Sequence, residues 1–161
     1  MLKYVDTKVV FRELPDEITL AINLSGCPCH CQGCHSPYLA DNIGTKLSSA
    51  QLDILVAINI GITAICLMGG DASPKEVEQL TKHIKSEYSK LKVGWYSGRD
   101  VLPNDIDLTA FDYVKIGHYD ERYGALNKKT TNQRVYKVKK GATNAELEDV
   151  TSWFYEHQYI S

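Results

Sequence analysis

Residues 61–98 read GITAICLMGGDASPKEVEQLTKHIKSEYSKLKVGWYSG, and this stretch decides the fold. Ile62 to Met68 is a short apolar run rich in Ile and Thr, the pattern of a strand covered on both faces. Gly69-Gly70-Asp71 ends it. Ser73-Pro74-Lys75-Glu76 then has the form of a capping box with proline at the first helical position. Val77, Leu80, Ile84 and Tyr88 recur at helical spacing, with Lys75, Glu78, Lys82 and Lys85 on the other side. Lys92 to Tyr96 reads as the next strand, closed by Ser97-Gly98. Strand, helix and strand in that order imply parallel pairing and an α/β fold.

Toward the N-terminus, Val9 to Glu13 and Ile18 to Leu24 read as strands joined by a turn at Leu14-Pro15-Asp16. The second delivers the chain to Ser25-Gly26-Cys27. Ser48 and Gln51 fit a capping box that opens a helix reaching about Asn59, with Gly61 closing it. Toward the C-terminus, Tyr113 to Ile116 and Gln133 to Val138 read as strands, the first followed by Gly117-His118. Thr143 and Glu146 form another box. They predict a C-terminal helix over about 143–158 with Leu147, Val150, Trp153 and Phe154 on its apolar side. A full eight-stranded α/β barrel takes about 250 residues, or at least about 200. With 161 residues, the expectation is an open partial (β/α) barrel with a mostly parallel sheet, in one domain over residues 1–161. Ligands of such sheets bind beyond the carboxyl ends of the strands. The turns after each predicted strand should therefore gather on one face.

A composition of 43% hydrophobic and 24% charged residues is that of an ordinary globular chain. The formal charge of −2 gives no electrostatic reason to expect nucleic acid or an anionic membrane as partner. Met1 to Asp6 lacks the apolar core of a signal peptide. Ile54 to Gly70 carries no charge, but Asn59, Gly61 and Thr63 interrupt it. It reads as a buried helix, a turn and a buried strand, not a membrane span. The expected location is the cytoplasm.

Of five cysteines, four fall within Cys27-Pro28-Cys29-His30-Cys31-Gln32-Gly33-Cys34. Thiols packed this closely without a sign of export point to a metal. Either all four cysteines ligate a cluster, or Cys27, Cys31 and Cys34 do and Cys29 is a bystander. A zinc site drawing on the same cysteines with His30 and His35 is the third reading. Zinc ligands usually come as two separated pairs, and Cys66 stands alone in a predicted core strand.

The spacing Cys27-x3-Cys31-x2-Cys34 resembles that of the radical S-adenosylmethionine enzymes. The resemblance implies a [4Fe–4S] cluster on these three cysteines, with S-adenosylmethionine on the fourth iron. Gly69-Gly70-Asp71 resembles the Gly-Gly-Glu of the same superfamily, with a shorter acid. Within it, Cys31-Gln32-Gly33-Cys34-His35-Ser36-Pro37, Trp95-Tyr96-Ser97-Gly98 and Thr130-Thr131-Asn132-Gln133-Arg134 resemble segments of the activating proteins of anaerobic ribonucleoside-triphosphate reductases. That likeness implies contacts to S-adenosylmethionine from Gly33, Cys34, His35, Gly69, Gly70, Asp71 and Ser97. It also implies two partners: the large subunit of the reductase, on which a glycyl radical is made, and a low-potential electron donor such as flavodoxin or ferredoxin.

Overall fold

The computed structural model describes residues 1–34, 36–140 and 145–156. Its elements are β1 (Lys3–Val10), β2 (Thr19–Leu24), β3 (Thr45–Lys46), α1 (Ser49–Ile58), β4 (Ala64–Met68), α2 (Pro74–Glu87), β5 (Lys92–Tyr96), β6 (Tyr113–Ile116), β7 (Arg134–Lys140), β8 (Ala145–Asp149) and α3 (Ser152–Glu156). The strands form one open eight-stranded sheet in the order β3-β1-β2-β4-β5-β6-β7-β8. The α/β expectation holds. The mostly parallel sheet does not, because only β2-β4, β4-β5 and β5-β6 pair in parallel. The four outer pairings are antiparallel, made by hairpins or short returns that need no crossover helix.

The strand–helix–strand unit forms as its sequence dictates. Ser48 caps α1 by accepting from the Gln51 amide at 3.2 Å. Ser73 makes no such bond. Its expected partner Glu76 turns instead to the chain start, accepting from the Leu2 amide at 2.7 Å and meeting the N-terminal ammonium at 2.9 Å. The uncharged run from Ile54 to Gly70 is a helix, a turn and a strand, and no described helix is long and apolar enough to cross a membrane. Only its strand is buried. α1 lies on the sheet with Leu52 and Leu55 inward, and turns Ile54 and Ile58 to solvent.

The predicted C-terminal helix is corrected. Residues 145–149 are strand β8, and only Ser152–Glu156 is helical; Thr143 lies outside the described residues. The apolar spacing of Leu147, Val150, Trp153 and Phe154 suited a helix. β7 nevertheless gives the acidic segment a basic partner strand, with Val138 opposite Leu147 and Lys139 3.3 Å from Glu148. Backbone pairing across a hairpin is invisible in one segment's periodicity.

Alternation along the strands sorts the side chains onto two faces. Leu20, Ile22, Ile65, Leu67, Val93, Trp95 and Val114 face the helices and form the main core. The other face is filled at one end by Leu14, Ala64, Cys66 and Tyr113. Leu14 is fully buried against Gly94, where a Cβ would lie 2.6 Å from its Cδ2. The next rung of this inner face, Met68, Tyr96 and Lys115, lies in register one step closer to the strand ends.

Candidate functional site

The chain leaves β2 and crosses the carboxyl ends of the parallel strands as a loop fixed at its start. The Gly26 amide donates to the Asp41 carbonyl at 3.0 Å, and the Cys27 amide to that of Leu39 at 2.8 Å. Cys27, Cys29, Cys31 and Cys34 are free thiols, each half-buried. A turn closed by the Cys34 amide on the Cys31 carbonyl, at 3.2 Å, separates the last two. Gly33 in that turn has φ +74°, which an L side chain rarely adopts, and Glu121 packs against its open side. The Ser36 amide donates to Cys34 Sγ at 3.4 Å. His30 is exposed, and His35 lies outside the described residues. Among the described residues, no three His, Cys, Asp or Glu side chains group as ligands of one metal ion.

Gly69-Gly70-Asp71 follows β4, with φ of +108° and +84° at its two glycines. Those angles bend the chain so that Asp71 turns back over the sheet edge. Its carboxylate is buried, at 4% exposure. Ser97 Oγ donates to Oδ1 at 2.5 Å and the Gly98 amide to Oδ2 at 2.8 Å. Cys29 Sγ sits 3.8 Å from the same Oδ2, above Gly98, where a Cβ would approach the sulfur to 2.9 Å. Burial first, then the charge of Asp71 and the neighbouring thiols, push the Cys29 thiol up to about 12. It therefore stays protonated and can donate toward the carboxylate. Cys29 thus neighbours Asp71 as well as the other thiols of the loop.

Lys115 was not singled out by the sequence. It is 8% exposed and donates to the carbonyls of Ser97 and Gly117 at 3.0 and 2.9 Å. Desolvation lowers its ammonium to about 8, against the opposing pull of Asp71, Cys31 and Cys29. The available signal was a lone cation in the strand Tyr113-Val114-Lys115-Ile116, at an inward position of the alternation. Lys115, Cys34, Met68, Tyr96 and Gln133 border a cavity of about 610 Å³, whose far wall includes Phe154. Gln133 is buried there, while Asn132 donates to the His118 carbonyl at 3.1 Å and Arg134 points away to Asp149.

The structure thus gathers the cysteine loop, Asp71, Ser97 and the turn after β6 at one end of the parallel strands. Thiolates closely spaced on one loop are the donor set of iron–sulfur clusters, one thiolate to each iron. A family model described as a 4Fe-4S single cluster domain matches residues 18–136. The chain belongs to that family. The match runs from the start of β2 into β7, so the 4Fe-4S single cluster domain contains the cysteine loop, all three parallel pairings and the Gly69-Gly70-Asp71 turn. Neither curated proteins nor solved structures gave a match to the chain.

Proposed function

We propose that the chain is a radical S-adenosylmethionine enzyme that makes the glycyl radical of an anaerobic ribonucleoside-triphosphate reductase, in the cytoplasm. The observation that carries this reading is the Asp71 carboxylate, buried and set by Ser97 and Gly98 beside the cysteine loop. In it, Cys27, Cys31 and Cys34 hold three irons of a [4Fe–4S] cluster. When bound, such a cluster would supply the electron for reductive cleavage of S-adenosylmethionine, the chemistry that would let the enzyme take a hydrogen atom from the partner's glycine. The protein's own residues bind and orient. Asp71 holds the ammonium of the methionine moiety by a charge-assisted bond, and Gly69 and Gly70 let the backbone approach it. Gly33 keeps the turn before Cys34 narrow. In this reading the open eight-stranded sheet leaves the strand ends accessible, and the cavity beside Cys34 receives the partner's loop.

The test is anaerobic reconstitution with iron and sulfide, followed by reduction and mixing with the reductase large subunit. Four irons per chain, an EPR signal altered by S-adenosylmethionine, and a glycyl radical doublet on the reductase are the expected results. Stoichiometric zinc without iron overturns the cluster. 5′-Deoxyadenosine formed without a radical on the reductase transfers the enzyme to another protein, peptide or small-molecule substrate. Asp71→Ala should weaken S-adenosylmethionine binding at least about tenfold, as loss of a charge-assisted bond predicts, and leave the iron content unchanged.

A further inference from the structure

Lys115 is buried, and among the described residues it forms no ion pair. Buried ions are ordinarily paired, because desolvation of a lone charge costs several kcal/mol. The ammonium is nevertheless held in one place. The Ser97 amide donates to the Lys115 carbonyl at 2.9 Å, and Lys115 Nζ donates back to the Ser97 carbonyl at 3.0 Å. A further bond, from Nζ to the Gly117 carbonyl at 2.9 Å, fixes the side chain at the end of its own strand. Gly98 follows Ser97, and Cys29 Sγ packs on it, so the cysteine loop lies over the strand end that holds the cation. Lys115 also borders the same cavity as Cys34. The groups that act on its charge are Asp71, Cys31, Cys29 and Cys66, in that order.

We infer that Lys115 sets the reduction potential of the iron–sulfur cluster: its buried positive charge favours the reduced state and so raises the potential. This role rests on the reading of Cys27, Cys31 and Cys34 as cluster ligands, and not on which substrate the enzyme takes. Reduction adds one electron, and with it one negative charge, to a group already ligated by thiolates. Net charge, hydrogen bonding and solvent exposure are the quantities that set the potential of such a group. A cation in a site of low dielectric stabilises the more negative of two charge states more strongly. Its burial also protects it from screening by salt. Without it, the Asp71 carboxylate would be the nearest fixed charge, and a low-potential donor would reduce the cluster less completely. Two carbonyls orient the ammonium before any electron arrives, so the stabilisation is built in on folding.

The test is a potentiometric titration of the reconstituted holoprotein with dithionite, read by EPR of the reduced cluster, in the absence of S-adenosylmethionine. Wild type is compared with Lys115→Met, Lys115→Arg and Asp71→Asn at equal iron content per chain. Lys115→Met should lower the midpoint potential by at least about 59 mV, a tenfold change in a one-electron equilibrium constant. The shift should persist when salt is raised from about 0.1 M to about 1 M, because a buried charge is screened little. Lys115→Arg, which keeps the charge, should lie within about a threefold change of the wild-type equilibrium constant. Asp71→Asn, which removes the neighbouring anion, should move the potential the other way. An unchanged or raised potential in Lys115→Met, or an equal fall in Lys115→Arg, overturns the inference and leaves the cluster reading standing. A fall of the same size in Asp71→Asn also overturns it, since disturbance of the site, not the sign of a charge, would then be the cause. Zinc without iron, or no reducible cluster in the wild type, overturns the cluster reading and this role with it.

Discussion

On the helix side of the sheet, Ile22, Leu67, Trp95 and Val114 lie in register and close over one apolar core. On the other side of the same strands, the register runs Asn23, Met68, Tyr96 and Lys115, and ends at a buried cation. The two rungs are one residue apart along each strand. One face satisfies packing alone. The other is packed only at the Leu14 end, and toward the strand ends it keeps polar groups that cost stability. Retained desolvation of this kind marks the face on which a ligand is expected.

Four substitutions test that division, beginning with the largest effect. Trp95 is fully buried, stacks on Phe111 at 5.6 Å between centroids, and donates to the Gly69 carbonyl at 2.7 Å. Trp95→Ala should cost about 3–5 kcal/mol in denaturant unfolding, as truncation of a large core aromatic does. Cys34→Ala, on the other face, should abolish iron binding and change the unfolding free energy of the metal-free chain by less than about 1 kcal/mol. If Cys34→Ala unfolds the metal-free chain, the two faces are not energetically separate.

Lys115→Met should act in the opposite direction and stabilise the metal-free protein at neutral pH. Burial lowers the Lys115 ammonium from 10.5 to about 8. Each tenfold loss of proton affinity is worth about 1.36 kcal/mol, so keeping the cation buried costs on the order of 3 kcal/mol. The sign follows from linkage. Between about pH 8 and 10.5 the unfolded chain binds more protons than the folded one, so wild-type stability rises with pH across that window. The advantage of Lys115→Met is therefore full below about pH 8 and shrinks above it. Chemical denaturation at about pH 7 and about pH 10, on either side of the lowered value, measures the difference. An advantage independent of pH would show that the cation bears no such penalty.

The smallest expected effect is at Cys29. Its sulfur is 3.8 Å from Asp71, and the carboxylate keeps Ser97 and Gly98 as donors. Cys29→Ala should leave iron content unchanged after reconstitution and shift the unfolding free energy by about 1 kcal/mol or less, as a weak S–H donor implies. Loss of iron in this variant would move Cys29 from the carboxylate to the cluster.

Much of this arrangement is legible in the sequence. The strand–helix–strand between Ala64 and Tyr96 follows from apolar runs bounded by glycines and from the helical spacing of Val77, Leu80 and Ile84. The turns after β2, β4 and β5 are named by Gly26, Gly69-Gly70 and Gly98. Elsewhere the pattern misleads. Residues 145–149 have helical spacing but follow a partner strand, and Ser73 has the form of a cap but leaves Glu76 to bind the chain start. In each case a partner distant in sequence outweighs a local preference worth about 1 kcal/mol or less.

The sequence by itself determined the chemistry available to this protein: closely spaced thiols, a carboxylate after paired glycines, and the parallel strands whose ends carry them. Those are set by residue type, spacing and period, which are local quantities. Only the tertiary structure decided that Cys29 belongs with Asp71, that Ser97 links a buried carboxylate to a buried ammonium, and that Lys115 faces the cavity beside Cys34. Those relations join residues 18 to 42 positions apart or more. No local pattern encodes them, because they arise from the register of strands that meet only once the sheet is formed.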